Sequence, residues 1–346
     1  MTTTGSRGRR VTIADVAREA RTSTASVSYA LNGRAGVSAA TRERVLAAAE
    51  RLGWSPATAA RALAGAGSAT IGLVLVKHPR DLAVEPFYMQ FIAGVEAALA
   101  DHSFGLLLEV ADSAAEGSEA IRRWQASRRV DGVLLTDVRP DDARIEVARD
   151  LGVPAVVVGD PQAASGLTSV WTDDAAAVRA AVAHLVELGH RRITRFSAPA
   201  EVAYTAIRDA AFEGAARAAG VEHDVVRTDL SLDAGATAAR AAVAASRPPT
   251  ALLFDNDVMA VAALTAMHGA GLSVPRDVSI VAWDDSLLCR VVVPQLTALG
   301  HDVVALGAHA ARRLIDVIAG AEPASFEDPA PRLVARASTA PPRPVG

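Results

Sequence analysis

Residues 11–33, VTIADVAREARTSTASVSYALNG, set the N-terminal architecture. Thr12-Ile13-Ala14-Asp15 has the Ser/Thr-x-x-acid form that opens a helix, because hydroxyl and carboxylate satisfy backbone groups left unpaired by the first turn. Ile13, Val16, Ala17 and Ala20 then share one helical face. Arg21-Thr22 breaks the pattern. Ser23 caps a second helix whose buried side carries Val27, Ala30 and Leu31, and Asn32-Gly33 ends it with residues that tolerate left-handed backbone. Ser38 caps a third helix striped with Val45, Leu46, Ala49 and Leu52 and stopped by Gly53. Two short helices with a tight turn and a longer packing helix predict a helix-turn-helix unit.

The second helix exposes small or polar, uncharged side chains: Thr24, Ala25, Ser26, Ser28, Tyr29 and Asn32. They let a helix lie close in the major groove and bond base edges or touch a thymine methyl. Residues 1–67 hold ten arginines against four carboxylates, a formal +6, which leaves −10 for the rest of a chain whose total is −4. A basic head on an acidic body points to a polyanion. For a charge run alone, a solvated face is the alternative. In Ser55–Ala64, Ser55 is a good N-cap and Pro56 suits the first helical position. About ten residues are too few for a stable isolated helix, so the segment is poised between coil and helix. Gly65, Gly67 and Ser68 follow as a joint. Leu63 is a candidate apolar wedge for the minor groove. Packing on the body is its alternative.

With these motifs the head resembles the LacI/GalR (lactose-repressor) family of bacterial regulators. The matching segments are Val11–Ala17, Ser23–Asn32, Val37-Ser38-x-x-Thr41-Arg42, and Ser55-Pro56 through Leu63. The resemblance implies that the second helix reads the major groove and that paired hinge helices enter the minor groove. It makes Thr24, Ala25, Ser28, Tyr29 and Asn32 the base- and phosphate-facing candidates. Thr12, Ser23, Ser26, Arg34 and Ala60 stand beside them, and Leu63 matches the minor-groove leucine. Tyr29 is a departure, since several members carry a basic or imidazole side chain there.

Beyond residue 70, short β-rich apolar runs alternate with Ala-rich helical stretches. Candidate strands are Ile71–Val76, Gly105–Val110, Val133–Thr136, Ala155–Val158, Ile193–Phe196, Val225–Thr228, Ala251–Phe254 and Val278–Val281. Helices such as Tyr88–Asp101, Asp173–Leu188 and Val258–Gly269 lie between them. This predicts an α/β body of two doubly wound parallel-sheet lobes, divided near Pro161–Gly166, with a ligand cleft at the strand carboxyl ends. The domain reading is 1–53 helix-turn-helix, 54–69 hinge helix and linker, and 70–340 effector-binding and dimerisation domain.

The body resembles the periplasmic-binding-protein-like effector domain of the same family through Leu188–Ile193 and Val274–Val281. The resemblance makes Arg208, Asn256 and Asp284 effector contacts, with Asp173 a frequent neighbour. Arg208 is read at the start of an Arg208–Gly220 helix, and Asp257 as a helix cap. Arg, Asn and Asp pair with vicinal hydroxyls, and Phe87, Tyr88 or Trp283 can pack on sugar faces. Leu230 stands where members often carry an aromatic residue. Asp255 adds negative charge to the cleft, which disfavours a phosphorylated ligand and favours a neutral sugar.

The composition, 51% apolar and 21% charged, excludes disordered and fibrous classes. No apolar run approaches the roughly 20 residues of a membrane span. A single cysteine, Cys289, excludes an intramolecular disulfide and a multi-Cys metal site. No apolar stretch follows the basic N-terminus, so no signal peptide is expected and the location expected is cytoplasmic, at the nucleoid. No GxSxG, HExxH or phosphate-loop motif is present, His184 and His190 read as structural, and no catalytic residue, metal or cofactor is expected. The sequence thus reads as a sequence-specific transcriptional repressor of carbohydrate genes. It is expected to bind a pseudo-palindromic operator in double-stranded DNA as a homodimer, without a helical tetramerisation tail, and to answer a small-molecule effector. A solute-binding module with no DNA role and a sugar-modifying enzyme on the same fold are the alternatives.

Overall fold

The computed structural model describes residues 11–31, 36–54, 67–82 and 84–343. It separates into two compact units, Met1–Thr70 with Ala126–Asp131 and Ile71–Gln125 with Gly132–Gly346. In the first, helices span Ile13–Glu19, Thr24–Leu31 and Ala39–Arg51. Their starts follow the capping chemistry read from the sequence. The Asp15 carboxylate accepts from Thr12 N at 2.9 Å and Thr12 Oγ1 at 2.7 Å. Ser23 Oγ accepts from Ser26 N at 3.1 Å, and Ser38 Oγ from Thr41 N at 3.3 Å. The core is Val16, Ala17, Ala20, Val27, Ala30, Val45, Ala48 and Ala49. Two expectations fail here. Ile13 and Leu46 are exposed. Ile13 lies in the first turn, and Val45, Ala48, Ala49 and Leu52 make the true i, i+3, i+4, i+7 stripe, to which Leu46 is out of phase. Arg42 Nη1 donates to Ala30 O at 2.7 Å, tying the third helix to the second.

The second unit holds two six-stranded sheets. In the first lobe lie β1 (Thr70–Val76), β2 (Gly105–Ala111), β3 (Gly132–Leu135), β4 (Ala155–Val158), β5 (Thr168–Thr172) and β11 (Ser325–Asp328). The second lobe has β6 (Arg192–Ser197), β7 (Glu222–Arg227), β8 (Ala251–Phe254), β9 (Ser279–Trp283), β10 (Thr297–Gly300) and β12 (Arg332–Val334). Spatial orders are β11-β5-β4-β3-β1-β2 and β12-β10-β9-β8-β6-β7. The second sheet ends in an antiparallel β10–β12 pair. Central strands such as β3 and β8 are buried along their whole length, which is why they read as unbroken apolar runs.

The lobe division at Pro161–Gly166 is corrected. β5 follows that segment and still pairs with β4 in the first sheet. The chain crosses between lobes after β5, returns after β10, and crosses again between β11 and β12. Short later strands and a returning C-terminal segment carry no composition signal. After the second crossing, the Val303–Ile318 helix packs on the Pro86–Ala100 helix in the first lobe's core. A Cβ on Gly94 would lie 1.9 Å from Val304 O, and one on Gly307 2.2 Å from Phe91 O. Only glycine permits that backbone approach. His190 is structural, as the sequence indicated. Its Nδ1 and Nε2 meet Thr250 Oγ1 and Ser279 Oγ at 2.9 and 3.0 Å, and burial lowers its pKa to about 4.

Candidate functional site

A cavity of about 160 Å³ opens at the carboxyl ends of the strands, between the two sheets of the second unit. Its walls include all seven residues expected there, Phe87, Tyr88, Asp173, Arg208, Asn256, Trp283 and Asp284. A cavity of about 150 Å³ accommodates one benzene-sized ring, so this space suits a single small ring.

Arg208 is the hub. It lies within the Ala203–Ala218 helix, not at the start of one, because the helix begins five residues earlier than its polar signal suggested. Its guanidinium is sandwiched 3.6 Å from the Trp283 ring centroid and 4.2 Å from that of Tyr204. Nε donates to Asp174 at 2.7 Å and Nη1 to Asp255 at 3.3 Å. Burial opposes its charge, but the two carboxylates hold it protonated. Asp255 is therefore no spare negative charge in the cleft. Burial alone would raise its pKa, but Arg195 at 2.7 Å, Arg208 and the Ala198 N–H hold it below the usual carboxylate range. Arg195 Nε continues to Asp209 at 3.0 Å. Asp174, Arg208, Asp255, Arg195 and Asp209 thus form a buried chain of alternating charge.

Several expected contacts have structural duties. Asn256 lines the cleft, yet its Oδ1 accepts from Met259 N at 2.8 Å and its Nδ2 donates to Leu230 O at 2.9 Å. Asn256 is the helix cap; Asp257 is the first helical residue, bonded to Ser286 Oγ. Asp173 caps the Asp174–Glu187 helix through Ala176 N at 2.8 Å. Trp283 and Tyr88 are 2% and 1% exposed. Trp283 lines the cleft and presents its ring to Arg208. Tyr88 is occupied with Asp137. The half-buried aromatic rings on the cleft are Phe87, Trp171 and Tyr204. The last two, together with His301, escaped the sequence reading. The rarity of tryptophan and its place near a strand end could have signalled Trp171.

Asp284 differs from the other cleft carboxylates. Its Oδ1 is buried without a hydrogen-bond partner among the described residues, 4.0 Å from His301 Nδ1. Burial, then the nearby Asp257 carboxylate, push its pKa up to about 8 against the pull of Arg208. The folded protein keeps this proton between about pH 4 and 8, where the unfolded chain has lost it. Stability therefore falls as pH rises across that window. Asp284→Asn removes the slope. Urea unfolding at pH 8.5 should find the variant about 2 kcal/mol or more above the parent, with the gap shrinking towards pH 4. Parallel stabilities at both pH values would contradict the protonated carboxyl.

In the first unit, Thr12, Ser23, Thr24, Ala25 and Tyr29 are exposed, while Ser26 and Ser28 are half-buried. Four expected DNA contacts, Asn32, Arg34, Ala60 and Leu63, lie outside the described residues. Among the described residues no helix is long and apolar enough to cross a membrane, and no His, Cys, Asp and Glu cluster could hold a metal ion.

A helix-turn-helix trio in a chain whose larger unit is a two-lobed, cleft-bearing α/β body defines the class of two-part bacterial regulators. Residues 12–57 match the family of bacterial regulatory proteins, lacI family, and residues 182–339 the periplasmic binding protein-like domain. The HTH-type transcriptional regulator CelR of Thermobifida fusca is 34% identical over 91% of this chain and 94% of its own length. The structure of a transcriptional regulator CelR–cellobiose complex superposes with a TM-score of 0.73 at 32% identity, covering 95% of this chain and all of that one. The lac repressor dimer bound to operator and the anti-inducer ONPF gives 0.82 at 28% identity, covering 96% and 100%. The chain belongs to the lacI family and is a DNA-binding transcriptional regulator.

Proposed function

We propose that this chain is a repressor whose operator affinity is set by a neutral sugar in the interlobe cleft. One observation carries the reading. Arg208, held between two rings, and Asp284, with a buried oxygen lacking a partner among the described residues, converge with half-buried aromatic rings in one small cavity. The CelR–cellobiose relative supports a sugar, and the operator-bound lac repressor supports DNA. Residues 1–53 are the DNA-binding domain, 54–69 the hinge and 70–340 the effector and dimerisation domain. Thr24, Ala25 and Tyr29 face bases or phosphates. Leu287, Val291 and Val293 on the second lobe are 70%, 61% and 83% exposed, an apolar strip suited to a homodimer. The protein acts in the cytoplasm and catalyses nothing.

Selection from a random duplex pool should yield a pseudo-palindrome, and one neutral sugar should change its affinity by about 5- to 150-fold. Leu63→Ala should weaken binding and reduce the DNA bend with the body's melting unchanged. Failure to enrich any duplex would overturn the DNA reading. A sugar response with an unchanged bend angle would overturn only the wedge.

A further inference from the structure

The cleft carboxylates other than Asp284 all have protein partners. Glu85 pairs with Lys77 at 3.2 Å, and Asp137 with Tyr88. Asp160 accepts from Gln162 N at 2.7 Å, Asp173 caps a helix, and Asp174 and Asp255 hold Arg208. His301 is equally distinct among the histidines. Its side chain is 10% exposed, it lines the cleft, and neither ring nitrogen has a hydrogen-bond partner among the described residues. A buried polar atom without a partner costs about 1–3 kcal/mol, so two facing residues with three such atoms call for a group to satisfy them.

Their juxtaposition is built by the fold. Asp284 follows β9 and His301 follows β10, and these strands are parallel neighbours with Leu299 opposite Trp283. Between them, a Cβ on Gly300 would lie 2.5 Å from Asp285 Cβ, so glycine permits the close approach of the two strand ends. At 4.0 Å, Oδ1 and Nδ1 are too far apart to bond each other. A hydroxyl oxygen about 2.8 Å from each would see them at an angle of roughly 90°, within reach of its O–H and a lone pair.

We propose that Asp284 and His301 form a carboxyl–imidazole grip for one hydroxyl of the effector, with His301 the specificity-determining partner. The inference rests on the reading of this cleft as a sugar site. Arg208 and Asp174 surround the pair, with Asp257 and Glu85 towards Asp284 and Asp302 and Asp328 towards His301. Burial raises the Asp284 pKa and lowers that of His301. Near neutral pH both are therefore uncharged, and each offers one donor and at least one acceptor. A hydroxyl, which donates and accepts, fits between them. A phosphate, which brings negative charge among five carboxylates, does not.

The test uses the full chain and thermal melting with D-glucose, D-galactose, D-ribose, maltose and cellobiose. For the sugar that most stabilises the parent, His301→Phe should weaken binding about tenfold, and His301→Gln should restore it to within about threefold. Both variants should melt like the parent without sugar. One monodeoxy form of that sugar should bind parent and His301→Phe alike. Equal affinity of the parent and His301→Phe for the intact sugar overturns the grip alone, as does a loss that persists with every monodeoxy form. If no sugar stabilises the parent, the sugar reading falls and this inference with it.

Discussion

Arg208→Ala is expected to abolish the sugar-induced melting shift and also to cost the body about 3–5 kcal/mol, the usual penalty for breaking a buried ion pair from one side. The resemblance alone gives Arg208 a ligand role only. The structure adds a second role, because its guanidinium joins Asp174 at 2.7 Å to Asp255 at 3.3 Å. Without it, Asp174 keeps Thr172 Oγ1 at 2.8 Å, and Asp255 keeps Arg195 and Ala198 N. Asp174 then loses its buried counter-charge, Asp255 loses one of its two, and the gap between Trp283 and Tyr204 loses its filling. Arg208→Lys should fold better, since it keeps the charge, but should still respond poorly because an ammonium lacks the planar fork and stacking. Adding Asp174→Asn to Arg208→Ala should recover part of the stability, since the two residues are coupled. Urea unfolding with and without sugar measures both roles. Parent-like stability of Arg208→Ala would refute the charge-chain argument, and a parent-like sugar response would move the ligand elsewhere.

The same residues suggest how a ligand in the cleft acts at a distance. Asp174 lies just beyond β5, on the first crossing between lobes, and His301 just beyond β10, on the second. A sugar touching both Arg208 and His301 therefore loads two of the three crossings. It shifts the lobes only as far as its affinity differs between their arrangements, and the coupling to operator is reciprocal.

Much of this is legible in the sequence. Capping at Ser23 and Ser38 marks the head, and the sequence places β8 to the residue because Ala251–Phe254 is a continuous apolar run followed by a capping Asn256. β5, β10, β11 and β12 were missed: they are three to five residues long, and β11 and β12 alternate exposed and half-buried positions. The lobe boundary failed for the same reason, because it depends on which sheet a short strand joins. In the cleft, the resemblance located Arg208 and Asp284 but not their surroundings. The Arg208 sandwich and the Asp284–His301 gap depend on pairing between elements far apart in sequence. Local pattern carries no trace of that pairing.

Deletion of residues 1–65 is expected to lower operator affinity by at least about 10³-fold, the usual lower bound of specific over non-specific binding, while leaving the body's melting temperature nearly unchanged. The head has its own core, Val16 through Ala49, which shares no residue with the clusters around Phe254, Phe91 and Trp283. The deletion retains Ser68 and Ala69, whose N–H groups donate to the Asp131 carboxylate at 2.6 Å, so the start of β1 stays anchored. Charge argues the same way. The deletion removes all ten N-terminal arginines and leaves a segment of formal charge −10, which a polyanion repels. The parent should show a steep fall in affinity with salt, from release of counterions at its phosphate contacts, and the truncated chain should have no measurable slope. Sugar-induced melting shifts should persist in the truncated chain, since the cleft lies wholly within the second unit. Operator-strength binding by the truncated chain would overturn the assignment of DNA recognition to the head, and a truncated body that does not melt cooperatively would overturn its independence.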